Sequence, residues 1–148
     1  MNLEKNIENL QKLVDEKKFS EVEDLCLAMI KIYEQSFIYY FLGMAQVNLS
    51  KIDSGVYFLR KSIFLSPNVP QTYRLLGKVY KGLGINDLSE ENFSKCVELG
   101  FVNEGIYNDY IEVLILLDRK DEYRKIINEA LIQFPNSKKI KNLKENYD

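Results

Sequence analysis

Residues 72–99 read TYRLLGKVYKGLGINDLSEENFSKCVEL, and this stretch decides the fold. Apolar side chains recur at three and four residues through Tyr73, Leu76 and Tyr80, break at Lys81-Gly82-Leu83-Gly84, and resume through Phe93, Cys96 and Val97. That is the spacing of two amphipathic helices with a turn between them. Outward from this stretch the same features return every 34 residues. Tyr39, Tyr73 and Tyr107 form one identical column; Leu49, Leu83 and Leu117 a second; Asp53, Asp87 and Asp121 a third. Pro67 and Pro135 stand two periods apart. With each residue type at several per cent, fewer than about one of 34 columns should be identical three times by chance. A period in this range predicts stacked helix pairs, a class of architecture that presents grooves to other chains.

The columns between the identities agree. Leu42, Leu76 and Tyr110 share one; Leu59, Phe93 and Ile127 another; Ile63, Val97 and Leu131 a third; and Ser62, Cys96 and Ala130 form a small-residue column. Gly43 and Gly77 are matched by Ile111. The pattern predicts helix pairs at about 3–16 with 19–33, 37–49 with 53–65, 71–83 with 87–99, and 104–117 with 120–133. Asp53, Asp87 and Asp121 sit at the break before the second helix of each unit. There a short carboxylate is expected to accept from free N–H groups and to suit the positive end of the helix dipole. Pro70 fits a first helical turn, Gly100 a left-handed C-terminal cap, and Asn103 an N-terminal cap. From Ser137 a short stretch carries Ile140, Leu143 and Tyr147 among lysines, the pattern of a solvating end helix.

At these residues the chain resembles the tetratricopeptide repeat (TPR) family. Tyr73, Leu76, Gly77, Tyr80, Ser89, Phe93 and Cys96 follow its pattern closely. Tyr39, Leu42, Gly43, Gly55, Leu59, Ser62 and Pro67 follow it well; the last unit keeps Tyr107, Ala130 and Pro135 but has Ile111 for the glycine and Tyr123 for the small residue. The resemblance implies an all-α fold, a right-handed superhelical array of antiparallel helix pairs with a C-terminal capping helix. It implies one domain over 1–148, with a degenerate repeat at about 1–35, repeats at 36–69, 70–103 and 104–137, and a cap at 138–148. In the first repeat Phe19, Val22, Cys26 and Met29 fit the second-helix pattern only if the spacing to the next unit is one residue short.

Composition narrows the function. Hydrophobic residues make up 46% of the 148, enough for a core, and the formal net charge is −2, which argues against a nucleic-acid binder and against the RNA-reading pentatricopeptide arrays of similar period. No apolar run approaches a membrane span, and the polar start Met1-Asn2-Leu3-Glu4-Lys5-Asn6 is patterned as a helix, so a cytoplasmic location is expected. Cys26 and Cys96 fall on apolar helix columns and are expected to be buried free thiols. The chain has no His to activate a thiol or to complete a zinc-type ligand set. Gly82 and Gly84 read as an interhelix turn and not as a phosphate loop. No enzyme, metal or cofactor is expected.

In TPR arrays the first helices of the pairs line the concave face, so the candidate site lies there. The expected groove residues are Phe37, Tyr40, Phe41, Met44 and Val47 in the second unit, and Gln71, Arg74, Lys78 and Lys81 in the third. Asn108, Asp109 and Glu112 follow in the fourth, and Ile7, Leu10, Gln11 and Val14 form one rim. Arg74, Lys78 and Lys81 share one side of a helix beside an aromatic stretch, a combination suited to a protein segment with acidic and bulky apolar residues. Asp109 and Glu112 are expected to repel an acidic ligand. Some TPR proteins grip the acidic tail of heat-shock chaperones with Lys, Asn and Arg; here Phe41, Gln71 and Leu75 stand in those places, which argues against that ligand. The leading expectation is a non-enzymatic protein-interaction module. A self-associating scaffold and a small chaperone for secreted or assembling subunits are the other readings.

Overall fold

The computed structural model describes residues 2–147. Met1 and Asp148, the ends of the expected span and of the expected cap, lie outside the described residues. Among the described residues there are nine α-helices and no strand. They are α1 Leu3–Asp15, α2 Phe19–Met29, α3 Ser36–Asn48, α4 Ile52–Leu65, α5 Pro70–Gly82, α6 Asn86–Glu98, α7 Glu104–Leu116, α8 Lys120–Gln133 and α9 Lys138–Tyr147. The expected pairs are present, and only α2 is much shorter than its periodicity suggested. The chain divides into two compact units, the first running to Thr72 and the second from Tyr73.

The turn inside each helix pair is the same turn four times. Lys17, Ser50, Gly84 and Asp118 have φ of 56°, 62°, 71° and 53°. The next residue's N–H closes back on the helix: Lys18 to Leu13 O (2.9 Å), Lys51 to Gln46 O (2.8 Å), Ile85 to Tyr80 O (2.9 Å) and Arg119 to Leu114 O (3.0 Å). This is a Schellman cap, which satisfies carbonyls left open at the helix end. Three of the four left-handed residues are not glycine and carry a strain of roughly 1–2 kcal/mol each. Their spacing is 33, 34 and 34 residues, so the first repeat is one residue short, as the α2 pattern required.

The three repeating aspartates do not cap. The cap positions are Lys51, Ile85 and Arg119, none with a side-chain cap bond, and Asp53, Asp87 and Asp121 lie in the first turn. Their contribution there is to the helix dipole, about 0.3–1 kcal/mol each. Asn103 does cap α7, accepting from Ile106 N at 3.0 Å, and Ser137 Oγ accepts from Ile140 N at the start of α9. Gly100, with φ 79°, follows α6 as expected.

In the first unit Leu10, Val22, Cys26, Met29, Ile38 and Leu42 form the core. Leu10, expected at the groove rim, is therefore a core residue. In the second unit Phe93, Tyr107, Ile111, Leu114, Ile127 and Ile140 do the same, so α9 closes that core with Ile140. Leu83, although a member of an identical column, is exposed. Gly77 lets α5 lie against the Phe93 ring, and Ser89 Oγ donates to Gly77 O at 2.8 Å across the same contact.

Each unit also holds a carboxylate bonded across its two repeats. Glu23 on α2 accepts from Lys51 Nζ at 2.8 and 2.6 Å and from Gln46 Nε2 at 3.1 Å. Glu90 on α6, its counterpart two repeats on, accepts from Arg119 Nη1 at 2.8 Å and from the Tyr110 hydroxyl at 3.1 Å. At the intervening repeat the equivalent positions are Val56 and Ile85, which cannot form such a pair.

The bond from Lys51, helped by the one from Gln46, holds the Glu23 carboxyl below the ordinary carboxylate range against the opposing effect of burial. The folded state therefore binds this proton less readily than the unfolded chain does. Its contribution to stability is present above the ordinary carboxylate range and is lost as pH falls through and below it. Glu23→Gln is expected to lower stability by roughly 1–3 kcal/mol at pH 7 and by less in acid. Urea unfolding of both proteins across that range measures the difference, and an equal loss at every pH would remove Glu23 from this role.

Candidate functional site

The face of α5 and α7 in the second unit carries the candidate charges. Lys81 Nζ bonds Asp109 Oδ1 at 2.8 Å and also Glu112 Oε2, while Lys78 Nζ approaches Asp109 Oδ2 only to 3.9 Å. The pairs form because residues 28 and 31 apart in sequence face one another on neighbouring first helices. Burial would pull the Lys81 ammonium down, but the bonds from Asp109 and Glu112 outweigh it and the pKa is raised. Asp109 and Glu112 thus already neutralise part of the cationic stripe.

Arg74 differs from its two companions. Among the described residues no carboxylate lies within 4.0 Å of its guanidinium, and its Nε is buried without a hydrogen-bond partner. Asn108, one repeat on from Arg74, is 8% exposed and so is buried; its Oδ1 also lacks a partner. Gln71 and Glu112 are exposed.

On α3, in the first unit, Phe37, Tyr40, Phe41 and Met44 are all half-buried. Phe37 and Phe41 pack on the core formed by α1, α2 and α3, and the Tyr40 ring meets Phe41 edge-on at 5.4 Å. This is not an open aromatic shelf. The exposed aromatics of the unit are on α4 instead, at Tyr57 and Phe64.

A cleft of about 600 Å³ lies between α6 and α8, with Tyr73, Tyr110, Val97 and Ile126 among its walls. Glu91, Glu98, Glu122 and Glu129 also line it, together with the Glu90–Arg119 pair and with Lys95 and Lys125. The sequence reading missed it because these second-helix positions look like an ordinary solvated face. The recurrence of Glu23 at Glu90 was the available signal.

No family model matches the sequence, and no curated protein matches it. Solved structures do. MamA matches with a TM-score of 0.81 at 19% identity, over 90% of this chain and 79% of that one. The pilF protein of Pseudomonas aeruginosa matches at 0.79 and 15% identity, over 98% and 67%. YrrB, a TPR protein with an unusual peptide-binding site, matches at 0.75 and 15% identity, over 92% and 71%. The chain has the tetratricopeptide repeat fold.

Within the TPR fold, α1, α3, α5 and α7 are the first helices and α2, α4, α6 and α8 the second. The positions that would hold a two-carboxylate clamp carry Phe41 and Leu75, both half-buried, and exposed Gln71, none of them a cation. Both cysteines lie on second helices and are free and buried. Burial pushes the Cys26 thiol up to about 12 and that of Cys96 to about 11, the latter against a small opposing effect of Arg74. Neither is a thiolate at neutral pH, so neither is primed as a nucleophile. Among the described residues no three His, Cys, Asp or Glu side chains gather where a metal could bind, and no helix is long and apolar enough to cross a membrane.

Proposed function

We propose that this chain is a non-enzymatic protein-interaction module whose TPR first helices hold a segment of a protein partner. The observation that carries the reading is Arg74, a first-helix cation with no carboxylate partner among the described residues. A partner's carboxylate would give this guanidinium the ion pair that it lacks among the described residues. Lys78, one turn on and only loosely paired, would strengthen the same contact. Lys81 and Glu112 would present polar groups to the segment's main chain, with the buried Asn108 behind them. On the first unit, taken by itself, Phe37, Tyr40, Phe41 and Met44 are the candidate apolar contacts. YrrB's peptide-binding site supports the reading by analogy of fold alone. The buried free thiols suit a cytoplasmic location.

The test is capture of partners from the source cell's lysate by the wild type and by Arg74→Glu/Lys78→Glu, after circular dichroism has shown equal helicity. A partner reduced at least about tenfold by the double variant is expected, since each lost charged hydrogen bond is worth about 1.5–3 kcal/mol. Equal capture of the same partner by both proteins would remove Arg74 and Lys78 from the site.

A further inference from the structure

The outer faces of the second helices diverge between repeats in one specific way. On α4, Tyr57 is 64% and Phe64 79% exposed, with exposed Arg60 between them at i+3 and i−4. These residues form one stripe of the helix. Arg60 has no carboxylate partner among the described residues. The ridge is held in place: Lys61 Nζ lies 5.6 Å from the centre of the Phe64 ring and 5.8 Å from that of Tyr39, and Tyr57 meets Phe58 edge-on at 5.1 Å. One period later, the residues at the same repeat positions are Glu91, Ser94 and Glu98, and all three line the α6–α8 cleft. The repeat therefore carries an aromatic and cationic ridge in its second copy and an anionic, half-enclosed cleft in its third.

We propose that these are the two halves of an interface between two molecules of this chain: the α4 ridge of one copy docks in the α6–α8 cleft of another. Phe64 or Tyr57 would enter the cleft against Val97 and Ile126, and Arg60 would meet Glu91 and share Glu98 with Lys95, which pairs with it at 3.2 Å. Large exposed aromatics flanking an unpaired Arg are the residue types that dominate interface energetics. Opposite charge on the two surfaces fixes which surface meets which. An anionic membrane is the weaker occupant for the ridge, because one or two basic residues contribute only about 1 kcal/mol each at a charged bilayer. The two surfaces differ, so the contact is heterologous. Such contacts link molecules head to tail, into closed rings or open chains. This surface is on the second helices and is independent of the site proposed above.

The test uses two variants of the full chain. Tyr57→Ser/Arg60→Glu/Phe64→Ser removes the ridge and keeps the cleft; Glu91→Lys/Glu98→Lys reverses the cleft and keeps the ridge. All substituted residues are exposed or at a cleft mouth, and circular dichroism checks that both variants fold. Sedimentation equilibrium is expected to show a wild-type mass that rises with concentration above that of one chain. Each variant alone is expected to stay at the chain mass. An equimolar mixture is expected to reach twice the chain mass and stop, because only one productive contact remains. The proposal is overturned if the wild type stays monomeric at millimolar concentration, or if either variant alone associates as the wild type does. It is also overturned if the ridge variant loses binding to phosphatidylserine vesicles while wild-type mass never changes.

Discussion

Leu76→Asp unfolds the repeat formed by α5 and α6. Leu76 is 2% exposed and belongs to the Leu42–Leu76–Tyr110 column, each member of which is buried. Removing a buried leucine costs about 2–5 kcal/mol even when alanine replaces it. An aspartate there also leaves a charge without a partner, or takes up a proton at a further cost in stability. Together these losses exceed about 5 kcal/mol, comparable with the whole stability of a small domain at roughly 5–15 kcal/mol. The expected result is a large loss of helical signal at 25 °C, with exchange of amide protons across α5 and α6. Leu76→Met, which keeps volume and polarity, should change stability by less than about 1.5 kcal/mol. A folded Leu76→Asp protein with an unchanged melting temperature would show that this column is not core.

Gly43→Val has the second large effect, in the first unit. A β-carbon at Gly43 would lie 2.7 Å from Leu59 Cγ and 2.8 Å from the Gly55 carbonyl oxygen. The Leu59 side chain could shift, but the Gly55 oxygen is backbone. Gly55 is itself blocked, since a β-carbon there would lie 3.0 Å from the Gly43 oxygen and 2.8 Å from Val47 Cγ2. α3 and α4 approach through two glycines, and a side chain on either one must separate the helices. Losing glycine from a helix interior gains up to about 1 kcal/mol of propensity, less for a β-branched residue. Overpacking of this kind costs about 1–3 kcal/mol, and backbone obstruction puts it at the upper end. A net loss of about 2–3 kcal/mol is expected, read as a melting temperature lower by roughly 10 °C. Gly82→Ala is the control, because nothing lies within 4 Å of a β-carbon at that position near the end of α5. It should be neutral or slightly stabilising. If Gly43→Val proved as stable as the control, the α3–α4 approach would be wrong.

Much of the fold was legible because the repeat supplies its own comparison. Each core column was seen three times, so Leu59, Phe93 and Ile127 supported one another, and helix bounds mostly fell within one residue. The left-handed turns at Lys17, Ser50 and Asp118 were not anticipated. Only the copy at Gly84 carries the residue that advertises positive φ, and the other three tolerate the strain because a Schellman bond secures them. The aspartate column misled in the opposite direction. Its residue type suited a cap, but the caps fall two residues earlier, at Lys51, Ile85 and Arg119, and place Asp53, Asp87 and Asp121 inside the helices.

The candidate site was less legible than the core. Helical periodicity located Arg74, Lys78 and Lys81 on one side of α5 but held no information about which charges of α7 lie opposite. Whether Lys81 meets Asp109 depends on the offset between neighbouring helices, and that offset follows from how Gly77, Phe93 and Tyr107 pack. The same holds for Phe37 and Phe41, whose half-burial depends on how α1 and α2 pack with α3 in the first core.

By itself, then, the sequence determined the helix pairs, their number, most of their core positions and the shortened first repeat. These are set by local periodicity, and every repeat states them again. Tertiary structure alone decided which charges are already paired, that Asn108 is buried, that Tyr57 and Phe64 of the first unit are exposed, and that Glu91 and Glu98 flank a cleft. Those properties belong to distances between helices, which no single helix's pattern contains.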